Sequence, residues 1–497
     1  MRAFITLFTL TTLTSLTGCA GEEQAPPAAT NGPTYYADTK AIVDAKCAGC
    51  HQEGDIAPFA LTTPDQVQTF SAAMRAAISA GTMPPWQPSD DCNDYKYSID
   101  LTAEEKDTLL AWLDAGAPAG DPAQAPNTPQ PDVADGFEPN ITLPLPEAYA
   151  PTRGPDDYRC QLIPWPETET TYVTGARVTP DKREIVHHVI LFVVGPDQVE
   201  QFQAFDDAEE GPGYTCYGGP TASDDGGALA NVEPAELLAA LNRLGLTVAD
   251  LQSGNLTEEQ LISLIGELDI QVGGFGSIGS WVPGVAATSL PAGTGIRVEP
   301  GSMIVAQFHY NTLNADAVAD RSIIEIETTN AVDRQATILP AVDFGWVSNG
   351  LVGEPMTIPA GAAEVEHSTT LAYDSFFMAS ARQTLGLPDD APLVIHRAGH
   401  HMHELGKRQR TELRHADQST TCVLDIPDWD FAWQGAYTLE SPIVIRPGDE
   451  LWMGCTWDNS AANQPTVGGA ARSPVDVAWG EGTADEMCLG SLYVTGM

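Results

Sequence analysis

From residue 136 to the C-terminus, apolar and polar residues alternate in short runs broken by Gly, Pro, Asn and Asp. EIVHHVILFVV, SMIVAQFHYNT, APLVIHRAGHHMHEL and ELWMGCTW are examples. Successive side chains on an extended backbone point to opposite faces, so period-two alternation predicts strands with one buried face. Many short strands separated by turn signals pack as sandwiches. A chain of 497 residues exceeds what one core can bury. The expected texture from 136 onward is therefore that of all-β sandwiches. One stretch departs from this texture. Within about 225–270, AELLAALNRLGLTVADL and LTEEQLISLIGELD carry helical periodicity, and Thr257 and Gln260 have capping-box spacing. This predicts a helical insertion in a β-domain loop, serving as packing ornament, lid or partner surface.

The chain before 136 has a different texture. Residues 119–135 are rich in Pro and Ala and read as a linker. Residues 35–118 read as a small all-α unit. TKAIVDAKCAGCH predicts a helix running into Cys47-Ala48-Gly49-Cys50-His51, and this CxxCH spacing is the signature of c-type haem attachment. Cys47 and Cys50 would form the thioethers, and His51 would be one axial ligand. The rival reading is a redox CxxC. A closing helix, LTAEEKDTLLAWLDAG, has Thr102 and Glu105 as a capping box and Gly116 at the C-cap, with Leu109, Trp112 and Leu113 as its apolar face. In GTMPPW two prolines hold Met83 on an extended loop, so Met83 is the expected second axial ligand; Met74, in a helical run, is expected in the core. The unit resembles a class I cytochrome c domain, which implies covalent haem c.

Arg2, an apolar Thr-rich run and Leu16-Thr17-Gly18-Cys19 resemble a bacterial lipoprotein leader. The expectation is cleavage of residues 1–18, lipidation at Cys19 and a tether over 19–34, with an ordinary signal peptide as the alternative. Ala20 after the cysteine favours the outer membrane as the anchor site. The predicted location is periplasmic or cell-surface, with membrane contact only through the lipid. That compartment is oxidising, so cysteines can pair. Net charge is −45, from 68 acids against 23 bases. Such a surface argues against nucleic acid or anionic membranes as partners. It serves as a solvated face or as a docking surface for a basic redox partner.

Four of the ten histidines fall in His396–Lys407, HRAGHHMHELGK. His401 and His403 are two residues apart, so on a strand both rings project from one face. His187 and His188 lie in EIVHHVILF, His309 in QFHYNT, and Met487 in Asp485-Glu486-Met487-Cys488. Imidazoles bind copper in both oxidation states, and a thioether favours Cu(I). Neighbouring residues on a regular strand face opposite ways, so His187 and His188 can share an ion only across a local bulge or with a wrapped ring. His396 and His400 are expected to be supporting residues.

HHVILF, LPAGTGIRV with QFHYNT, HMHELGK and DEMC, in this order, resemble the copper type II, ascorbate-dependent monooxygenases, the family of peptidylglycine α-hydroxylating and dopamine β-monooxygenases. The resemblance covers about 155–497. It implies two tandem all-β sandwiches of jelly-roll type, over 136–333 and 334–497, with two mononuclear copper sites facing a solvent cleft. His187, His188 and His309 would hold the electron-transfer copper; His401, His403 and Met487 would hold the copper at which oxygen is activated. It also implies disulfides Cys455–Cys488 and Cys160–Cys216. Cys92 and Cys422 then remain, and a bond between them is a hypothesis that would lock the haem unit against the copper domain. The sequence departs from the peptide-amidating members: Gly399 stands where they carry an arginine, and Leu489 and Ser491 where they carry Asn and Tyr. A smaller or more apolar substrate than a peptidylglycine is expected.

Taken together, these features predict an exported haem- and copper-dependent monooxygenase. It would hydroxylate a C–H bond of a small organic substrate with dioxygen, using electrons from a periplasmic donor through the fused cytochrome. The alternatives are a non-catalytic electron-transfer or redox-sensing protein, or a copper-binding module.

Overall fold

The computed structural model describes residues 32–53, 57–126, 137–216, 219–221, 234–252, 256–268, 276–282, 287–313, 315–347, 353–431, 433–467, 470–480 and 484–497. The leader, the lipidation position Cys19 and most of the tether lie outside the described residues, as does residue 127 onward of the linker. Among the described residues, no helix is long and apolar enough to cross a membrane.

Most of the regular structure is strand, arranged as three main sheets. A nine-stranded sheet runs through both halves of the β region in the order Ile141–Pro144, Ile323–Thr329, Thr171–Thr179, Thr294–Val298, Arg334–Ala341, Leu489–Gly496, Leu393–His401, Ala436–Ile445, with Thr288–Ser289 beside the third. The two halves meet where Thr294–Val298 pairs in parallel with Arg334–Ala341. A five-stranded sheet built around Met303–Asn311 packs over the first half of this shared sheet, and a four-stranded sheet built around Gly406–Arg414 and Glu450–Trp457 packs over the second. Each half is thus a two-layer sandwich, and the two sandwiches share one layer. Tandem sandwiches read from sequence would instead each have their own pair of sheets; alternation marks a strand but does not name its neighbour.

The alternation explains the layers. Ile304, Ala306, Phe308 and Tyr310 turn inward against Val173, Val178 and Ile324 of the shared sheet, forming the first core. Leu393, Ile395 and Ala398 face Leu413, Leu451 and Met453 in the second. At about 25 cal/mol per Å² of apolar surface removed from water, such interiors are the main force holding the layers together.

Within 225–270, helices Pro234–Leu244, Val248–Gln252 and Glu258–Glu267 close a small core of their own around Leu241, Leu246 and Leu264. Thr257 and Gln260 form their reciprocal cap. Helices Val199–Asp207 and Phe376–Thr384 were not anticipated. The second buries Phe377, Met378 and Ala381 on one face, a pattern too short to stand out in sequence.

The N-terminal unit is helical. Lys40–Lys46, Pro64–Ala80 and Ala103–Asp114 enclose Val43, Val67, Met74, Leu109, Trp112 and Leu113. The Thr102–Glu105 capping box forms, and Gly116 adopts φ +84°, the left-handed region in which a Cβ is disfavoured. Three disulfides join Cys92 to Cys422, Cys160 to Cys216 and Cys455 to Cys488. The first ties the helical unit to the second sandwich.

Candidate metal centres

The strand Val186–Val194 pairs with Met303–Asn311, and Val186 faces Tyr310 while His188 faces His309. His187 is therefore the extra residue of a bulge. Such an insertion bends the strand and re-aims one side chain, which turns His187 to the same side as its neighbour. His187 Nδ1 lies 3.3 Å from His188 Nδ1, and His309 Nδ1 lies 3.4 Å from His188 Nδ1. One ring nitrogen from each of the three can be chosen so that all lie within 4.8 Å of one another.

His309 is locked in place. Its Nε2–H donates to Asp156 Oδ1 at 2.8 Å, leaving Nδ1 with its lone pair towards the cluster. Tyr158 stacks on the ring, with centroids 4.1 Å apart. Burial pushes the Asp156 carboxyl up, but hydrogen bonds from His309 and Asn311 outweigh it and hold it below the usual carboxylate range. A carboxylate behind a histidine fixes its tautomer and raises its basicity as a ligand. Asp156 was not picked out from sequence, because only strand register brings it beside His309.

Burial lowers His187 to about 4, with His309 adding to the effect. It lowers His188 further, helped by His309, His187 and His401. The rings are neutral, the form that binds metal.

His401 ends the strand Leu393–His401, and His403 follows in the turn. Both have their Nδ1 occupied. His401 Nδ1–H donates to Gln434 Oε1 at 2.5 Å, and the Gln434 amide nitrogen donates to Phe431 O at 3.1 Å. His403 Nδ1–H donates to Asp485 O at 3.0 Å. The two rings have centroids 5.0 Å apart. Met487 is buried on the neighbouring segment.

Glu486 clasps that segment to the histidine turn. Its Oε2 accepts His403 N–H and Trp457 Nε1–H, both at 2.9 Å, and its Oε1 accepts Leu405 N–H at 2.6 Å. Burial raises its carboxyl to about 7 against the opposing pull of these donors and the Met487 N–H. Cys488 anchors the other side through Cys455. Glu486 lay inside a motif noted from sequence, but nothing there showed that its side chain reaches back to residue 403.

His396 and His400 turn to the interior, bonded to Thr495 Oγ1 and Thr411 Oγ1, each at 2.9 Å. A Cβ at Gly399 would fall 2.8 Å from Ser491 Oγ and 3.2 Å from Ala436 Cβ. That position has no room for a side chain, least of all an arginine. Beside His403 lies a cavity of about 440 Å³ lined by Glu404, Lys407, Trp429 and Phe431 among others. The Phe431 ring meets His403 edge-on at 5.9 Å.

Residues 352–494 match the family model described as copper type II ascorbate-dependent monooxygenase, C-terminal domain.

This domain marks the chain as a copper monooxygenase, an oxidoreductase. The matched stretch holds His401, His403, Met487 and the Cys455–Cys488 pair; His187, His188 and His309 lie outside it. No curated protein matches the chain.

In the N-terminal unit, neither Cys47 nor Cys50 forms a disulfide. Burial pushes the Cys47 thiol up to about 12, the reverse of what a redox-active CxxC needs. His51 Nδ1–H donates to Phe59 O at 3.0 Å, which leaves Nε2 free. Phe59 packs against His51 and stacks on Phe70.

Proposed function

We propose that the protein is an exported haem- and copper-dependent monooxygenase that hydroxylates a C–H bond of a small organic substrate. The overall change is R–H + O2 + two electrons + two protons to R–OH + H2O. The reading assigns His187, His188 and His309 to one copper, and His401, His403 and Met487 to another. The observation that carries it is the pairing of two imidazole sets with fixed tautomers, one of them inside the matched monooxygenase domain. Imidazole with one thioether suits copper in both oxidation states.

When bound, copper supplies one-electron redox chemistry and open positions for oxygen. The chain does the rest. Gln434 and the Asp485 carbonyl hold the His401 and His403 rings so that both Nε2 lone pairs are available. Asp156 does the same for His309 through the opposite nitrogen. Glu486 fixes the turn and the methionine segment relative to each other. The cavity beside His403 falls in the size range of small-molecule sites. The filled space at Gly399 is consistent with a substrate lacking a peptide carboxylate.

The N-terminal unit is read as a class I cytochrome c domain over 35–118, with Cys47, Cys50, His51 and Met83 holding haem c. When bound, the haem would supply one-electron transfer from a periplasmic donor towards the copper centres. The leader and Cys19 are read as a lipoprotein anchor, tested by lipid labelling of the intact chain and its Cys19→Ala variant.

The test is a copper and haem count on the full chain, followed by oxygen uptake under a broad panel of small substrates with a one-electron reductant. Substrate-dependent uptake with hydroxylated product supports the reading. Two bound coppers and a haem with no uptake under any substrate would favour a non-catalytic electron-transfer protein.

A further inference from the structure

The helical unit meets the β-sandwiches through one segment, 86–98, that begins just after Met83. Among the described residues, its hydrogen bonds, disulfide and ring contacts to the sandwiches fall on residues 422–440. Ser89 N–H donates to Asp425 O and Lys96 N–H to Thr438 O, each at 2.8 Å, and Glu440 N–H donates to Asp94 O at 2.9 Å. Asn93 Nδ2 donates to Cys422 O at 3.2 Å and Gln87 Nε2 to Asp430 O at 3.0 Å. Cys92–Cys422 makes the joint covalent. None of these contacts reaches the strands that carry His187, His188 and His309.

The receiving segment also orients the His401–His403 pair. Trp86 meets Tyr437 edge-on with centroids 5.2 Å apart. The Tyr437 hydroxyl lies against Gly435, 3.2 Å from where a Cβ would stand. Gly435 is bonded to Gln434, whose Oε1 takes the His401 Nδ1–H at 2.5 Å. Two prolines separate Met83 from Trp86, and Trp86 N–H donates to Pro84 O at 2.9 Å. The covalent chain and one ring contact therefore link the proposed haem ligand to Tyr437, two residues from the Gly435 neighbour of the glutamine that holds His401.

We infer that the N-terminal unit delivers electrons to the His401–His403 centre and not to the three-histidine cluster, by way of Trp86, Tyr437, Gly435 and Gln434. This rests on the reading of the unit as a haem carrier and of His401 and His403 as copper ligands. Each transfer moves one electron: the haem iron passes from ferrous to ferric, and a cupric ion at His401 and His403 becomes cuprous. No bond or proton moves, and an external one-electron reductant restores the haem.

The experiment uses the full chain loaded with haem and cupric ion, without oxygen. The haem is reduced with a limiting amount of dithionite, and its reoxidation is followed by visible absorbance, with freeze-quenched electron paramagnetic resonance reading the cupric signal. His188→Ala should retain the fast reoxidation, and His401→Gln should lose it. Trp86→Leu should slow it by roughly tenfold, a barrier increase of about 1.4 kcal/mol, whereas Trp86→Phe, which keeps a ring in place, should stay near the parent rate. Fast reoxidation lost in His188→Ala and kept in His401→Gln overturns the inference. So does an unchanged rate in Trp86→Leu. A chain whose alkaline pyridine spectrum shows no haem c overturns the haem reading itself, a different failure from a haem that reoxidises through the other cluster.

Discussion

Glu486→Gln tests what holds Met487 beside the histidine turn. The carboxylate accepts from the N–H groups of His403, Leu405 and Met487 and from the Trp457 indole, all in the interior. Glutamine has nearly the same shape but only one acceptor oxygen. Its least costly placement keeps that oxygen on His403 and Trp457 and turns the amide nitrogen towards the Leu405 N–H. One buried donor is then orphaned, at about 1–3 kcal/mol. The bonds that remain, to His403 and Trp457 above all, lose their charge assistance, about 1 kcal/mol each. Relief from burying a charge offsets part of this, leaving a net loss of about 2–4 kcal/mol. Glu486→Ala orphans all four donors and should cost more. The assay is guanidinium unfolding followed by tryptophan fluorescence, to which Trp457 contributes directly. In a Trp457→Phe background the loss should shrink, giving a coupling of about 1 kcal/mol. A change within about 0.5 kcal/mol, the range of ordinary surface substitutions, together with no coupling to Trp457, would refute the clasp.

Asp156→Asn should weaken copper binding at the three-histidine cluster by about 10- to 100-fold, the usual effect of losing a carboxylate behind a metal-binding histidine; chelator competition checks this, and equal weakening at both sites would contradict it. Met487→Ala should abolish substrate-dependent oxygen uptake while leaving the three-histidine copper bound, as read by metal analysis. Cys92→Ser with Cys422→Ser should loosen the docked helical unit by about 2–4 kcal/mol, seen as faster amide exchange at Ser89 and Lys96; unchanged protection would mean the noncovalent joint suffices. His396 is lowered to about 4 by burial, with Arg334 and Lys96 adding repulsion. Its depressed value favours folding above its unfolded pKa near 6.5, and this stability drains away as pH falls through about 4. His396→Gln should flatten the acid side of the stability profile by up to about 3 kcal/mol, measured by unfolding at pH 7 and pH 4.

Much of this was legible in the sequence, for physical reasons that differ by feature. Alternation reports burial directly, so the strands around His187, His309 and His401 stood out. Capping at Thr102 and Thr257 is local chemistry and could be read within four residues. The need for a bulge at His187 followed from strand geometry alone. What escaped was set by neighbours distant in sequence. Asp156 reaches His309 because register places Asp156 opposite Asn311. Gln434 and Glu486 lie 33 and 83 residues from the histidine positions they support. The shared sheet depends on a parallel pairing that no periodicity announces.

That shared sheet has two outer strands, Ile141–Pro144 and Ala436–Ile445. An uncovered outer strand offers unpaired backbone groups to any passing chain and is a recognised route to aggregation. The second of these is not left bare. Tyr95 forms a bridge with Leu439, and the backbone bonds at Asp94 and Lys96 continue it on either side. The helical unit therefore also shields a sheet edge, and detaching it would expose a sticky margin. A β region expressed alone should associate through Ala436–Ile445, so the solubility of the enzyme depends on the short stretch of chain that docks the helical unit.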